Sequence, residues 1–300
     1  MYTQIASNKR KTWLLIGAFI IFITLIGFVF SQATNNHSLL YFAVGFSIIY
    51  VIISYFYSDK MVLAVSRAHE IQKKDNPQLY RLVENLSITA GLPTPKIYII
   101  SDNAPNAFAT GRDPKHSMVV VTSGILEMLD KKELEGVLAH ELSHIGNYDI
   151  KLMTIVVLLV SVIALISDWF IRIAIWGGDD EGGGQMQLIF LVIGIIFAIL
   201  APIIAILIQL AVSRKREYLA DASGALLTRY PEGLEDALQK ISDDTKPLKE
   251  ANKATAHMYI VNPFRSNVKR GANGLFAGLF STHPPIEERI KRLKEMESKV

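Results

Sequence analysis

Apolar residues in this chain collect into four long runs, at 13–30, 39–57, 152–176 and 188–212, each close to the length a helix needs to cross a bilayer core. The third run holds Asp168 and Arg172, four residues apart, a spacing that lets them pair or face protein instead of lipid. Between the runs the pattern changes. Residues 76–90 read as a helix that stops before Gly91-Leu-Pro93-Thr-Pro95, and short β-rich runs follow at 96–100 and 118–122. Asn106-Ala-Phe-Ala-Thr-Gly111 reads as a further strand before a turn at Arg112-Asp-Pro114. Residues 133–150 place Leu134, Val137, Leu138, Leu142 and Ile145 on one helical stripe. Beyond the fourth run, 214–227, 231–241 and 285–298 read as helices, and the glycine-rich stretch 271–281 as a mobile loop.

The expected fold class is therefore mainly α with a small β-sheet, in a polytopic membrane protein of about four transmembrane helices. Its parts are an amino-terminal transmembrane hairpin (1–57), a polar part (58–151), a second hairpin (152–212) and a polar helical part (213–300). Lys9, Arg10 and Lys11 precede the first run, Lys60, Arg67, Lys73 and Lys74 follow the second, and Arg214, Lys215 and Arg216 follow the fourth, whereas the two intervening loops carry no Lys or Arg. The positive-inside rule then puts both termini and both polar parts in the cytosol, with the chain a multi-pass protein of the cell membrane. Ser31-Gln-Ala33 resembles a signal-peptide cleavage site, but the run before it is longer than a usual signal core and a second run follows at once, so the first run reads as a span.

Composition adds limits. Half of the residues are hydrophobic, which is high for a soluble chain. With no cysteine, disulfides and thiolate metal ligands are excluded. The net charge of +3 is accounted for by basic residues flanking the spans, so no nucleic-acid partner is read. The bilayer is the one partner that hydropathy identifies, and oligomeric state is not legible.

The chemistry lies in His140-Glu-Leu-Ser-His144. Residues four apart share a helix face, so both imidazoles can reach one ion while Glu141 flanks it as a candidate general base. Catalytic zinc takes three protein ligands and leaves a position for water. A metzincin needs a third histidine six residues after the second, where this chain has Ile150. Glu217, in Arg216-Glu-Tyr-Leu-Ala-Asp221 just past the fourth run, supplies the alternative. Asp221, one turn further on, can accept a hydrogen bond from a ligand imidazole, expected to be that of His140. One Zn2+ per chain would then sit just below the membrane. Lys131, Lys132, Glu133, Asn147, Asp149 and Lys151 make the metal helix too polar for immersion. Asn106, Ala107, Phe108 and Ala109 are expected to bind substrate as an exposed edge strand to which an unfolded peptide adds. His37, His69, His116 and His257 lack partner spacing and read as surface or capping residues.

Several motifs in order, Asn106-Ala-Phe-Ala-Thr-Gly111, His140-Glu-Leu-Ser-His-Ile-Gly-Asn147, Arg216-Glu-Tyr-Leu-Ala-Asp221 and Ser281-Thr-His-Pro-Pro285, resemble those of HtpX-type membrane zinc metalloproteases, relatives of the CAAX prenyl endopeptidases. The resemblance covers most of the chain. It implies a zinc endopeptidase with a cytosolic, zincin-like protease domain that clears misfolded or membrane proteins under stress; nothing points to prenylated substrates. It also puts His283 close to the active centre, where it can donate to the tetrahedral intermediate. The rival readings are a zinc-binding membrane scaffold, or a transporter, without peptidase activity.

Overall fold

The computed structural model describes residues 2–176, 214–249, 255–263 and 284–297. Helices α1 (Tyr2–Ala33) and α2 (Ser38–Val65) pack side by side, and α6 (Asp149–Trp176) joins them. Phe19 and Ile23 of α1, Ala43 of α2, and Ile155, Leu159 and Val162 of α6 form their common core. The opposite faces of α1 and α2 remain apolar and open, with Trp13, Leu14 and Ile21 on one and Tyr41, Phe42 and Ile49 on the other. Such surface suits lipid. Among the described residues two stretches, Ile5–Gln32 and Ser38–Val65, have the length and hydropathy of a membrane span, or up to three if a bent helix pair counts as one. The expected fourth run, at 188–212, lies outside the described residues, as do the loop 271–281 and His283.

The sheet follows α2. It comprises β1 (His69–Ile71), β2 (Lys96–Ile100), β3 (Ala107–Asp113) and β4 (His116–Thr122) in the order β1-β2-β4-β3. The β2–β4 pair is parallel and the two outer pairs are antiparallel. Ile97, Ala107, Ala109, Val119 and Val121 face the helical core, whereas Tyr98, Phe108, Met118 and Val120 face Val62 and Leu63 of α2, Val157 of α6 and Tyr259. Because both faces are covered, Met118-Val-Val-Val121 reads as an unbroken apolar run and not an alternation.

Helix α3 (Pro77–Ala90) starts where the Asn76 side chain accepts from the Leu79 N–H, with Pro77 in its first turn, and stops at Gly91, whose φ of 67° lies in the left-handed region. After the short α4 (Ser123–Met128), α5 (Lys131–Gly146) opens with a capping box between Asp130 and Glu133. Glu133 also takes Lys240 of α8 (Pro231–Asp243) at 2.6 Å. Helices α7 (Arg214–Thr228), α8 and α9 (Ile286–Glu297) complete the bundle around α5. His257, expected as a surface or capping residue, is buried in the 3-10 turn Ala256–Met258, while His37, His69 and His116 are exposed.

Between α5 and α6 the chain turns through 80°. The turn takes only Asn147 and Tyr148, and Tyr148 has a φ of 59°. Its ring is covered by the Lys9 ammonium at 4.6 Å.

Candidate active site

His140, Glu141 and His144 lie on α5 and are buried. Their burial is forced by packing. The stripe Leu134, Val137, Leu138, Leu142 and Ile145 fills the main core, which turns the neighbouring helix face toward α7 and β3. Glu217 arrives from the first turn of α7 and is buried as well. The approach of α7 depends on Gly224, where a Cβ would stand 3.0 Å from the His140 backbone nitrogen.

The donor atoms converge. His140 Nε2 and His144 Nε2 are 3.2 Å apart, and Glu217 oxygens lie 3.8 Å from the first and 3.5 Å from the second. Donors bound tetrahedrally at zinc–ligand lengths stand about 3.4 Å from each other, so this set fits one ion. The opposite nitrogens strengthen the fit. His140 Nδ1 is 3.0 Å from Asp221 Oδ1, and His144 Nδ1 is 3.0 Å from Asp149 Oδ2. Each carboxylate holds the ring proton on Nδ1, which leaves the Nε2 lone pairs aimed at a common point. Two lone pairs facing at that range repel unless a proton or a metal ion lies between them.

Titration behaviour agrees. Burial lowers the pKa of His140 in spite of Asp221. Burial opposes charge on His144 too, but the hydrogen bond it donates to Asp149 and the charges of Glu217, Asp149 and Glu141 outweigh it and carry the ring to about 9. The pocket thus favours a cation beside His144. Glu141 is pushed up to about 7, chiefly by burial with some repulsion from Glu217, while its carboxylate accepts from the backbone N–H of Ala109.

Among the described residues strand β3 is an edge of the sheet, with β4 as its single strand partner. The expectation of an exposed edge beginning at Asn106 needs correction, because the chain already occupies its start. Ile260 N–H donates to the Ala107 carbonyl at 2.9 Å, and Asn106 Nδ2 donates to the Val261 carbonyl at 2.9 Å. Asn106, Ala107, Phe108 and Ala109 are all buried, and the Phe108 ring packs edge-on against Tyr259 at 4.9 Å. In an antiparallel strand alternate residues turn their backbone groups to the same side, so Ala109 shares the free side with Ala107. There its N–H serves Glu141.

Three participants escaped sequence reasoning. Arg289 of α9, fully buried, forks onto Asp221 with Nε–Oδ2 at 2.9 Å and Nη2–Oδ1 at 2.7 Å, and lies 3.8 Å from Glu217. The helix that carries it had the pattern of a solvated or packing helix. One signal was available: Arg289 falls on the stripe of Ile286, Ile290 and Leu293, so its charge sits where an apolar residue belongs. Asp149 and Arg216 are the others. Burial works against the Asp221 anion, yet the Arg289 guanidinium and His140 hold it down at about 2.

The model of Peptidase family M48 matches residues 73–297, which include all of the donor set. The chain belongs to peptidase family M48. Its relatives include proteins described as "Protease HtpX homolog", from Tropheryma whipplei (strain Twist) at 49% identity over 99% of this chain and 98% of the relative. A second, from Lactobacillus helveticus (strain DPC 4571), is 46% identical over 99% of this chain and 100% of its own length. The crystal structure of S. mikatae Ste24p shares the fold, with a TM-score of 0.53 at 18% identity, covering 98% of this chain and 67% of that one. Family M48, its HtpX-named members and the two long apolar helices together make this chain a membrane metalloprotease of HtpX type.

Proposed function

We propose that the chain is a zinc-dependent endopeptidase of the cell membrane whose site faces the cytosol. The observation that carries this reading is the buried His140–His144–Glu217 set, spaced for one tetrahedral ion, with a second glutamate carboxylate, that of Glu141, outside the set. When bound, zinc supplies Lewis acidity, lowering the pKa of a water and polarising the scissile carbonyl.

The remaining work falls to the side chains. His140, His144 and Glu217 hold the ion, while Asp221 and Asp149 fix the two ring tautomers. Glu141 takes a proton from water and returns it to the departing amine. Its upward pKa shift to about 7 suits both halves of that task. The Ala109 N–H steadies the carboxylate, and the β3 edge beyond it, toward the partly exposed Arg112 and Asp113, accepts an extended peptide, a mode that reads shape over sequence. His283 is our candidate donor to the developing oxyanion; the entry of Arg289, six residues further on, into the same site supports it. Four spans, both termini cytosolic, follow from hydropathy and from the Lys and Arg flanks. Unfolded or misfolded membrane proteins are the substrates this geometry suits.

The test is direct. Detergent-purified chain should contain one zinc and cleave casein, with cleavage abolished by a chelator. Glu141→Gln should keep the zinc while cleavage falls about 10²–10⁴-fold. Undiminished turnover in that variant would overturn the role of Glu141, and stoichiometric zinc without cleavage in the parent would favour a scaffold.

A further inference from the structure

The matched family region begins at residue 73, yet the buried network behind His144 ends on a residue far outside it. Asn8 lies on α1, just ahead of its apolar run, and is 1% exposed. Its Nδ2 donates to Asp149 Oδ1 at 2.7 Å and to the Asn147 carbonyl at 3.1 Å. Its Oδ1 accepts from Arg216 Nη1 at 3.1 Å. One amide therefore touches the carbonyl just past the end of the metal helix, the carboxylate that grips His144, and the residue immediately before Glu217. Arg216 in turn lies 3.7 Å from the same Asp149 oxygen, and Thr12 Oγ1 donates to the Asn8 carbonyl at 2.9 Å.

The chemistry of the arrangement is specific. Asp149 has two oxygens; one is used on His144 Nδ1 and the other on Asn8. A carboxylate free to rotate would present either oxygen to the ring, whereas one with both oxygens engaged has a single orientation. Hydrogen bonds behind a ligand histidine set its direction and basicity, and their loss costs 10- to 100-fold in metal affinity. The neighbouring Lys9 lies over Tyr148, so the same turn of α1 also clamps the sharp bend that follows the metal helix.

We infer that Asn8 is a positioning residue for zinc, and that the cytosolic end of the first membrane helix is therefore a structural part of the metal site. This rests on the zinc-protease reading above. It makes assembly of α1 against α5 and α6 a condition for tight zinc binding.

The experiment measures zinc affinity in full-length, detergent-purified chain by chelator competition, together with the absorption spectrum of the cobalt-substituted protein. Asn8→Ala should weaken zinc about 10-fold or more and alter the cobalt bands. Should Asn8→Ala fail to fold, Asn8→Leu, close to asparagine in shape but without donor or acceptor, carries the same expectation. Asn8→Gln, which keeps the amide on a longer arm, should recover part of the loss. Combined with Asp149→Asn, Asn8→Ala should add little to the loss from Asp149→Asn alone, because both act through one carboxylate. Parental zinc affinity and an unchanged cobalt spectrum in folded Asn8→Leu overturn the inference, as do fully additive losses. A parent that takes up no zinc overturns this inference and the proposed function together, whereas a zinc-loaded parent matched by its Asn8 variants overturns the inference alone.

Discussion

Gly224 of α7 lies against the backbone of His140, so close that an added Cβ would stand 3.0 Å from the His140 nitrogen and 3.3 Å from its Cα. Glu217 is carried two turns earlier on the same helix, and its distance from the histidines is set by how near α7 can come.

Gly224→Ala should therefore act at a distance on the metal. The helices must part by a few tenths of an ångström, and overpacking of this kind costs about 1–3 kcal/mol. We expect a lowered melting temperature and weaker zinc binding, with Gly224→Val worse than Gly224→Ala. Unchanged zinc affinity in both variants would show that α7 has slack at this contact.

Arg289 gives a second prediction. Removing one partner of a buried ion pair leaves the other charged and dry, at a cost of about 3–5 kcal/mol. Arg289→Met should accordingly destabilise the chain far more than Arg292→Met, whose side chain is half exposed over the Tyr218 ring. Pairing Arg289→Met with Asp221→Asn should recover part of the loss, since the Asp221 charge is then no longer stranded. Denaturant melts in detergent measure both comparisons.

The third prediction concerns pH. His144 in the metal-free chain is raised from 6.5 to about 9 because Asp149, Glu217 and Glu141 outweigh its burial. Its proton thus stabilises the metal-free fold fully below pH 6.5, and that contribution is lost as pH rises through about 9. Zinc must displace the same proton. Apparent zinc affinity should then fall about tenfold for each unit of pH below about 9, a slope of one proton, and level off above it. Chelator competition across that range tests it; a flat profile would mean that His144 is already neutral.

Much of this could be read from the sequence, and what could not has a common cause. His140, His144 and Asp221 were legible because a helix fixes what lies four residues away, and Glu217 because few acidic residues lie near the end of a span. The strands β2 and β4 announced themselves through β-branched runs, and β3 through the turn at Arg112-Asp-Pro114 that closes it. β1 did not, since its three residues, His69–Ile71, are too short to show a period. Asn8, Asp149 and Arg216 meet one another, and Arg289 meets Asp221, across sequence separations that no local pattern encodes. The open β3 edge was misplaced for the same reason: Ile260 and Val261 pair with a strand some 150 residues earlier. A lone Arg on an apolar stripe was the one local sign, and the charged residues around it hid it.

The 80° turn after α5 has a geometric result. Four residues of helix separate His140 from His144, about 6 Å along α5. Projected on the axis of α6 that separation shrinks to about 1 Å, whereas a straight continuation would have kept all of it. The two imidazoles therefore stand at nearly the same level along the axis of α6. An ion arriving across the end of α6 meets both rings at one level, and neither has to lean along that axis to reach it.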